Sequence, residues 1–375
     1  MQNIYANNAG TSWPKAPGVI DAACAALAAP PEANRHVLQS ARAEVCNALG
    51  ITQPERLLLT GSCTAALALA IADLPLVAGD VVLTSALEHH ALARPLQQLV
   101  LTRGIELEVS PYAPGTPFDL EFAQRLLHRG RVRLIAISGA SNVTGELLPV
   151  AELGLLARAH GVPLLLDAAQ TMGVVPIDVR SLPVDLLVFA GHKGPLAPHG
   201  IGGLWAASSV EFQSPAAVCE IRPGGADATQ LAAAAPRCAS FPGDCDVGSA
   251  NLAAAAGLAA ALSWRRAQAE DPYGDARRLV ARLREALREQ PGCRVFGEGS
   301  AHTAALSFLV DGLPLAASEA HFAERGIAVR AGQHCAPFAL QAIGAPEGTL
   351  RVSFGPFNRE SDVDAIVSAV ADLRR

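Results

Sequence analysis

Residues 184–194 read "VDLLVFAGHKG": five unbroken apolar residues, a glycine, then a histidine and a lysine. A run without a polar face has nothing to present to water. A strand of this kind is covered on both sides, the pattern of a parallel sheet held between two layers of helix. Open sheets of that class bind ligands beyond the carboxyl ends of their strands. His192 and Lys193 follow this strand directly, so the reading that decides the fold also places both in the binding crevice.

Working outward, "RLLLT" (56–60), "DVVLT" (80–84), "IELEV" (105–109), "RVRLIAIS" (131–138), "VPLLLD" (162–167) and "GIGGLWA" (200–206) predict further strands. Helical patterns separate them: "CTAALALAIAD" (63–73), "HALARPLQQLVLTRG" (90–104), and segments near 119–129 and 149–161. The alternation predicts an α/β fold with a mostly parallel mixed sheet. Residues 209–250 are rich in Gly, Pro, Ala and Cys and predict long loops that return to a helix, "NLAAAAGLAAALSWRRA" (251–267). A charged amphipathic helix, "YGDARRLVARLREALREQ" (273–290), opens a second unit with strands near 304–310, 327–330 and 350–354 and a closing helix at 360–374. The expected division is a large α/β domain over 15–264. Residues 1–14 and 265–375 form a smaller α+β domain.

Composition narrows the function. The 375 residues carry a net charge of −6, and Lys and Arg form no stripe, which argues against nucleic acid and anionic membrane as partners. No apolar run reaches the roughly 18–20 residues of a membrane span. The opening "MQNIYANNAGTSWP" lacks a basic segment followed by an apolar one, so the expectation is a soluble cytoplasmic protein. The eight cysteines make no CxxC pair and no zinc or disulfide spacing, so no metal is expected and a reducing compartment fits. Seven of them read as small buried hydrophobes. The eighth, Cys335 in "GIAVRAGQHCAPFAL" (326–340), lies between Gly332 and Pro337, which is a loop setting.

Of the 29 Lys and Arg residues, only Lys15 and Lys193 are lysine. Arginine stays protonated and cannot serve as an amine nucleophile. A lysine at a strand end, partly desolvated, has a lowered pKa and can form a Schiff base. The plain alternative, a solvated surface lysine, is disfavoured by both position and scarcity. Asp167 ends the strand "VPLLLD" and points into the same crevice, although an Asp after a strand is also a common helix N-cap. The stretch "LLLTGSCTAALALAIA" (57–72) is strand, turn and helix; the N–H groups of Ser62, Cys63 and Thr64, with the Thr64 hydroxyl, offer an anion cradle. An amine, an acid and a phosphate cradle are the three pieces that pyridoxal phosphate requires.

The motifs "YANNAGTSWPK" (5–15), "ALEHHALARPL" (86–96), "ASNVTGELLPV" (140–150), "DAAQTMGVVPIDV" (167–179), "FAGHKG" (189–194), "GIAVRAGQHCAP" (326–337) and "RVSFGPFN" (351–358) run through nearly the whole chain. Together they resemble the class V aminotransferase family and, within it, the group II, SufS-like cysteine desulfurases. The resemblance implies the type I fold of pyridoxal-phosphate-dependent transferases. It implies a catalytic set of Lys193, Cys335 and His89, with Lys193 bonded to the cofactor and His89 stacked on its ring. Asp167 is implied to pair with the pyridine nitrogen, and Gln170 and Asn142 to bond the ring oxygen. Thr64 and His192, with the amides at Cys63, are implied to hold the phosphate. Arg351 is implied to grip the substrate carboxylate. Arg330 and His334 are expected beside the thiol as further substrate-binding residues, favouring the thiolate. The implied reaction takes L-cysteine to L-alanine and leaves a persulfide on Cys335, to be collected by an acceptor protein.

Four positions depart from the family pattern. Ala190 replaces a serine and removes a hydroxyl from the phosphate site. Asn7 stands where "LDNAATS" has an acid. Gln333 replaces a histidine. The loop "FEAGTPN" reads "CDVGSAN" (245–251), where Ser249 keeps a hydroxyl suited to the neighbouring subunit's phosphate in a homodimer. His36 receives no role. The alternatives are a selenocysteine lyase or other C–S lyase of the same family, a transaminase or epimerase that makes no use of Cys335, and an inactive sulfur-transfer scaffold.

Overall fold

The computed structural model describes residues 3–212, 249–299 and 301–373. The expected loops of 209–250 therefore lie largely outside the described residues, as do Cys219, Cys238 and Cys245. Strand β1 (Ile4–Tyr5) precedes helices α1 (Val19–Ala28) and α2 (Val37–Leu49). The alternating region follows: β2 (Leu57–Thr60), α3 (Cys63–Asp73), β3 (Val81–Ser85), α4 (His90–Arg103), β4 (Glu106–Ser110), α5 (Leu120–His128), β5 (Val132–Ser138), α6 (Val150–Ala159), β6 (Leu164–Asp167), β7 (Leu186–Ala190) and β8 (Gly202–Ala206). The seven strands β2–β8 form one sheet in the order β2-β8-β7-β6-β5-β3-β4. β8 runs antiparallel to both its neighbours and the other pairings are parallel, so the sheet is mixed as expected. Its central strands are buried along their whole length. Alternate residues feed the two apolar clusters on either face, which is why their sequences read as unbroken apolar runs.

After α7 (Leu252–Arg266) and α8 (Gly274–Arg288) come β9 (Cys293–Phe296), β10 (Ala305–Val310), α9 (Leu315–Glu324), β11 (Ile327–Ala328), β12 (Arg330–Gly332), α10 (Pro337–Ala342), β13 (Thr349–Ser353) and α11 (Glu360–Asp372). A four-stranded antiparallel sheet has the order β12-β13-β10-β9, and β1 pairs in parallel with β11. The single strand expected at 327–330 is thus two short ones in different sheets. The N-terminal segment joins the C-terminal elements through the Ile4–Ile327 pairing and an Asn7–Ser353 bridge. α1 gave no periodic signal because all of it but Asp21 is apolar, and only Val19 of it is buried. Cys24 on this helix is exposed, which corrects the expectation of burial; Cys46 and Cys63 are buried and Cys293 is half-buried. Among the described residues no helix is long and apolar enough to cross a membrane.

One glycine of β8, Gly202, lets the sheet and α3 approach closely. A Cβ on Gly202 would sit 2.6 Å from the Phe189 carbonyl oxygen and 2.7 Å from the Cys63 nitrogen, both backbone atoms that cannot swing away. Gly202→Ala is expected to destabilise the protein by roughly 1–3 kcal/mol through overpacking, read as a lower thermal midpoint. An unchanged midpoint would show that α3 can retreat at no cost.

Candidate active site

β6 and β7 are neighbours, with Asp167 paired to Val188, so both strands deliver their last residues to the same edge of the sheet. From the end of β7 the chain turns through Gly191 to His192 and Lys193. Gly194 then passes so close to the next loop that a Cβ there would lie 2.1 Å from the Met172 carbonyl oxygen. A cavity of about 220 Å³ opens at this edge. Asp167, Lys193, His89, Asn142 and Gln170 line it from the large sheet, and Arg330, His334 and Arg351 from the smaller one. Thr64, Cys63 and His192 also reach it. Cys63 and Arg351, 288 positions apart, therefore line one cavity, and every inner-cavity residue singled out in the sequence is brought together here. Ser249 is exposed and not part of this lining.

At the floor, burial lowers the Lys193 pKa, against the opposing pull of Asp167. Burial likewise raises that of Asp167, opposed by the Ala169 N–H, by Lys193 and by the Cys63 thiol. The Asp167 Oδ1 accepts from the Ala169 nitrogen at 2.9 Å and from the Cys63 sulfur at 3.5 Å. The thiol contact was not legible in the sequence, which marked Cys63 only as the first residue of a helix. The Ser62 side chain caps that helix, accepting from the Ala65 N–H at 3.1 Å. The preceding first-turn N–H groups have no intrahelical acceptor, and Ser62, Cys63 and Thr64 line the cavity.

His89 caps α4, its Nδ1 accepting from the Ala91 N–H at 3.0 Å, so its proton resides on Nε2. Burial, and then the nearby Lys193, lower its pKa to about 3, and the ring is neutral. His192 is lowered to about 3 by the same two causes. Its ring stacks on His199 with centroids 4.5 Å apart, and Thr11 Oγ1 lies 3.1 Å from its Nδ1. The His192 carbonyl, directly before Lys193, is held by the Ser12 N–H (2.8 Å), the Ser12 hydroxyl (3.0 Å) and the Thr11 hydroxyl (3.2 Å). Lys15, the other lysine, donates to Ser12 Oγ at 3.1 Å, and burial lowers its pKa to about 8. Gln170 donates to the Ala9 carbonyl at 3.1 Å and Asn142 to the His334 carbonyl at 2.8 Å. Each amide keeps a second N–H for a ligand. The buried Asn142 Oδ1 has no partner.

The opposite wall is cationic. Arg330 and Arg351 are directly opposed across β12 and β13, where like charges ordinarily repel. Arg351 is 1% exposed. Its Nη1 donates to the Asn142 carbonyl at 2.8 Å and its Nη2 to Asn7 Oδ1 at 3.0 Å, while its Nε has no partner. Burial, then Arg330, lower its pKa to about 9, which leaves it charged at neutral pH.

Cys335 is exposed and Arg330 Nη2 lies 3.7 Å from its sulfur. The thiol opens on an adjoining outer groove of about 650 Å³ between α3 and α4, which shares Thr64, His89 and Ala91 with the inner cavity. His334 and Cys335 both have left-handed backbone, φ 51° and 56°. Non-glycine residues adopt this at a cost of roughly 1–2 kcal/mol each. The Asn142 amide on the His334 carbonyl and the His90 N–H on the Cys335 carbonyl (2.9 Å) hold the pair in place. The expectation that His334 favours the thiolate is corrected. Its Nε2 is bonded to Thr349, at 3.0 Å from the carbonyl, and burial lowers its pKa to about 3. A neutral ring turned inward is a strut for the loop, and the charge near the sulfur comes from Arg330 and Arg351.

Glu88 carries a role the sequence did not reveal beyond its place beside His89. It is 2% exposed, accepting from Ser85 Oγ and Ser138 Oγ at 2.5 Å each and from the Ser138 N–H at 3.0 Å. Ser138 is paired with Asp167 across β5 and β6, so this second acid stands behind the first. Burial outweighs its hydrogen bonds and lifts its pKa to about 7.

The sequence pattern of the aminotransferase class-V family matches residues 28–366. A probable cysteine desulfurase of Pseudomonas aeruginosa is 36% identical over 344 residues, 91% of this chain and 84% of that protein. The cysteine desulfurase CsdA of Escherichia coli is 34% identical over 294 residues, 78% of this chain and 71% of that one. Among solved structures, the apo cysteine desulfurase of Thermococcus onnurineus superposes with a TM-score of 0.90 at 27% identity, covering 99% of this chain and 94% of that one. Escherichia coli CsdA superposes with a TM-score of 0.85, also at 27% identity, covering the same shares of the two chains.

The raised Glu88 pKa has a stability consequence. Its folded value of about 7 exceeds its ordinary value of 4.5, so the folded state holds the proton more tightly than the unfolded state. The stabilisation is full below about pH 4.5 and is lost as pH rises through about 7. Glu88→Gln, which cannot ionise, is expected to gain stability relative to the parent by a few kcal/mol between pH 4.5 and 7.5, measured by denaturant unfolding. Parallel pH profiles would show that Glu88 is ionised in the fold.

Proposed function

The chain belongs to the class-V aminotransferase family, and from that footing we propose that it is a pyridoxal-phosphate-dependent cysteine desulfurase. The observation that carries the reading is the joint placement of a deprotonatable buried amine, an acid beside it and an exposed thiol at the mouth of the same crevice. The residues fit the cofactor. Lys193 and Asp167 line the floor, Ser62, Cys63 and Thr64 at the start of α3 line the same cavity, and Gln170 and Asn142 each keep an N–H for a ligand. Lys193 would hold the aldehyde carbon, Asp167 the pyridine nitrogen, His89 the ring face, and Thr64, His192 and the amides at Cys63 the phosphate. Gln170 and Asn142 remain the proposed partners of the ring oxygen, through their second N–H groups.

When bound, pyridoxal phosphate supplies an electron sink for the bonds at the substrate α-carbon. Arg351 orients the substrate through its carboxylate by a two-pronged contact. Lys193, released and neutral, takes the α-proton; the lowered pKa that burial imposes suits it to do so. The Cys335 thiolate attacks the substrate sulfur, with Arg330 facing the charge. An S–S bond forms, the C–S bond breaks, and the carbon keeps the electron pair until it is protonated. L-Alanine leaves and a persulfide remains on Cys335. The exposed loop and outer groove support collection of that sulfur by an acceptor protein. A homodimer in which Ser249 supplies a hydroxyl to the neighbouring phosphate site is part of the same proposal. The division into domains at 15–264, with 1–14 and 265–375 apart, is kept as part of the same proposal; it rests on the pairing of the N-terminal segment with C-terminal strands.

Incubation of the holoenzyme with L-cysteine and a thiol reductant is expected to release L-alanine. Cys335→Ala and Lys193→Ala are each expected to lower that rate by at least about 100-fold, the scale on which nucleophile and proton-transfer groups act. No alanine from the parent protein would overturn the reading. Alanine undiminished in Cys335→Ala would assign the C–S cleavage to a mechanism without the persulfide.

A further inference from the structure

Arg351 and Arg330 face each other across two strands, and none of the ion pairs among the described residues includes either of them. A fully buried guanidinium normally lies against a carboxylate. Arg351 instead rests on two neutral oxygens, the Asn142 carbonyl at 2.8 Å and the Asn7 side-chain oxygen at 3.0 Å. A guanidinium only donates, so the Asn7 amide must turn its oxygen toward it. The remaining N–H groups, the unpaired Nε among them, are enough for both oxygens of a carboxylate. Asn7 is itself fixed: its backbone bridges to Ser353, and its carbonyl accepts from the Gly10 N–H at 3.1 Å.

We propose that Asn7 is a specificity-determining positioning residue, which holds the Arg351 fork by a neutral acceptor and so keeps its charge uncompensated for the α-carboxylate of the substrate. An aspartate in the same place would preserve the geometry and supply a resident counter-charge. The substrate carboxylate would then compete with it. The inference rests on the desulfurase reading for the identity of the substrate, but the claim about Asn7 concerns only the binding of an α-carboxylate.

Charge and hydrogen bonding predict opposite orders for two substitutions of Asn7. Asn7→Asp is isosteric and keeps the contact to Arg351, whereas Asn7→Ala deletes the contact and adds no charge. If charge governs, Asn7→Asp raises the KM for L-cysteine by about tenfold or more, given the size of charge–charge energies at this range, with a smaller change in kcat. Asn7→Ala then raises KM by roughly threefold or less, the effect of one neutral hydrogen bond. If Asn7 were merely structural, Asn7→Ala would be the more damaging of the two, and that order overturns the proposal, as does an unchanged KM in Asn7→Asp. Titration calorimetry of the three holoproteins with L-alanine, which has the carboxylate and no sulfur, separates this inference from the reading it rests on. Absence of alanine production by the parent protein overturns the desulfurase reading. The ratio of L-alanine Kd values between Asn7→Asp and parent still decides the role of Asn7, and a ratio near one overturns it.

Discussion

The desolvation of Lys193 beside Asp167 is the constraint on which the rest of the molecule is arranged. An ammonium in that position is penalised by burial, and a carboxylate near it is penalised in the same way. Neither group could be placed there by a loop alone. Two adjacent parallel strands, buried on both faces, end in register at the same edge and carry the pair into a shared low-dielectric pocket. The layers of helix that cover the sheet are what make the pocket dry, so the chemistry of the amine depends on the whole packing of the large unit. The polar groups behind the pair extend the arrangement: the Cys63 thiol donates to Asp167, and Glu88 with its two serines backs the neighbouring strand.

The other wall of the cleft obeys a different rule. The smaller sheet contributes two arginines in direct opposition, an arrangement that repels unless an anion enters. The N-terminal segment and the loop bearing Asn142 hold one guanidinium by neutral oxygens. A polarised cleft results, with a low-pKa amine on one side and fixed positive charge on the other. A substrate carboxylate matches the cationic side and is oriented by charge before any reaction occurs. The thiol stands outside this inner cavity, on a strained turn whose two left-handed residues are tied down by backbone and amide hydrogen bonds. Strain maintained at that point keeps the sulfur exposed while its backbone stays fixed.

Much of the fold was legible because burial on both faces writes itself into a strand. The runs at 56–60, 131–138, 162–167 and 184–190 match β2, β5, β6 and β7 to within two residues. The helix at 63–73 is matched to the residue. Where periodicity was missing, so was the prediction: α1 is apolar but for Asp21, and α9 and α10 sit in stretches with no clear pattern. The single strand expected at 327–330 divides because Ile327 and Arg330 serve different sheets, and strand propensity does not say which partner a residue will find. Within the cleft, His334 shows the same limit. Its place beside Cys335 suggested a charged neighbour for the thiol, but its ring turns inward to Thr349 and is neutral.

The amino-acid sequence by itself determined the class of sheet, the strand ends that carry Lys193 and Asp167, and the loop character of the Cys335 segment. Each of these follows from local rules: apolar runs, strand-end position, and Gly and Pro punctuation. Only the tertiary structure decided which groups touch. The Cys63 thiol meets Asp167 across 104 residues, and Asn7 meets Arg351 across 344. Charge state at these points depends on burial and on neighbours distant in sequence, so His89, His334 and Lys193 acquire their lowered pKa values only once the two sheets close around them. Local sequence specifies the direction of the chain, whereas the dielectric environment of a side chain is a property of the folded whole.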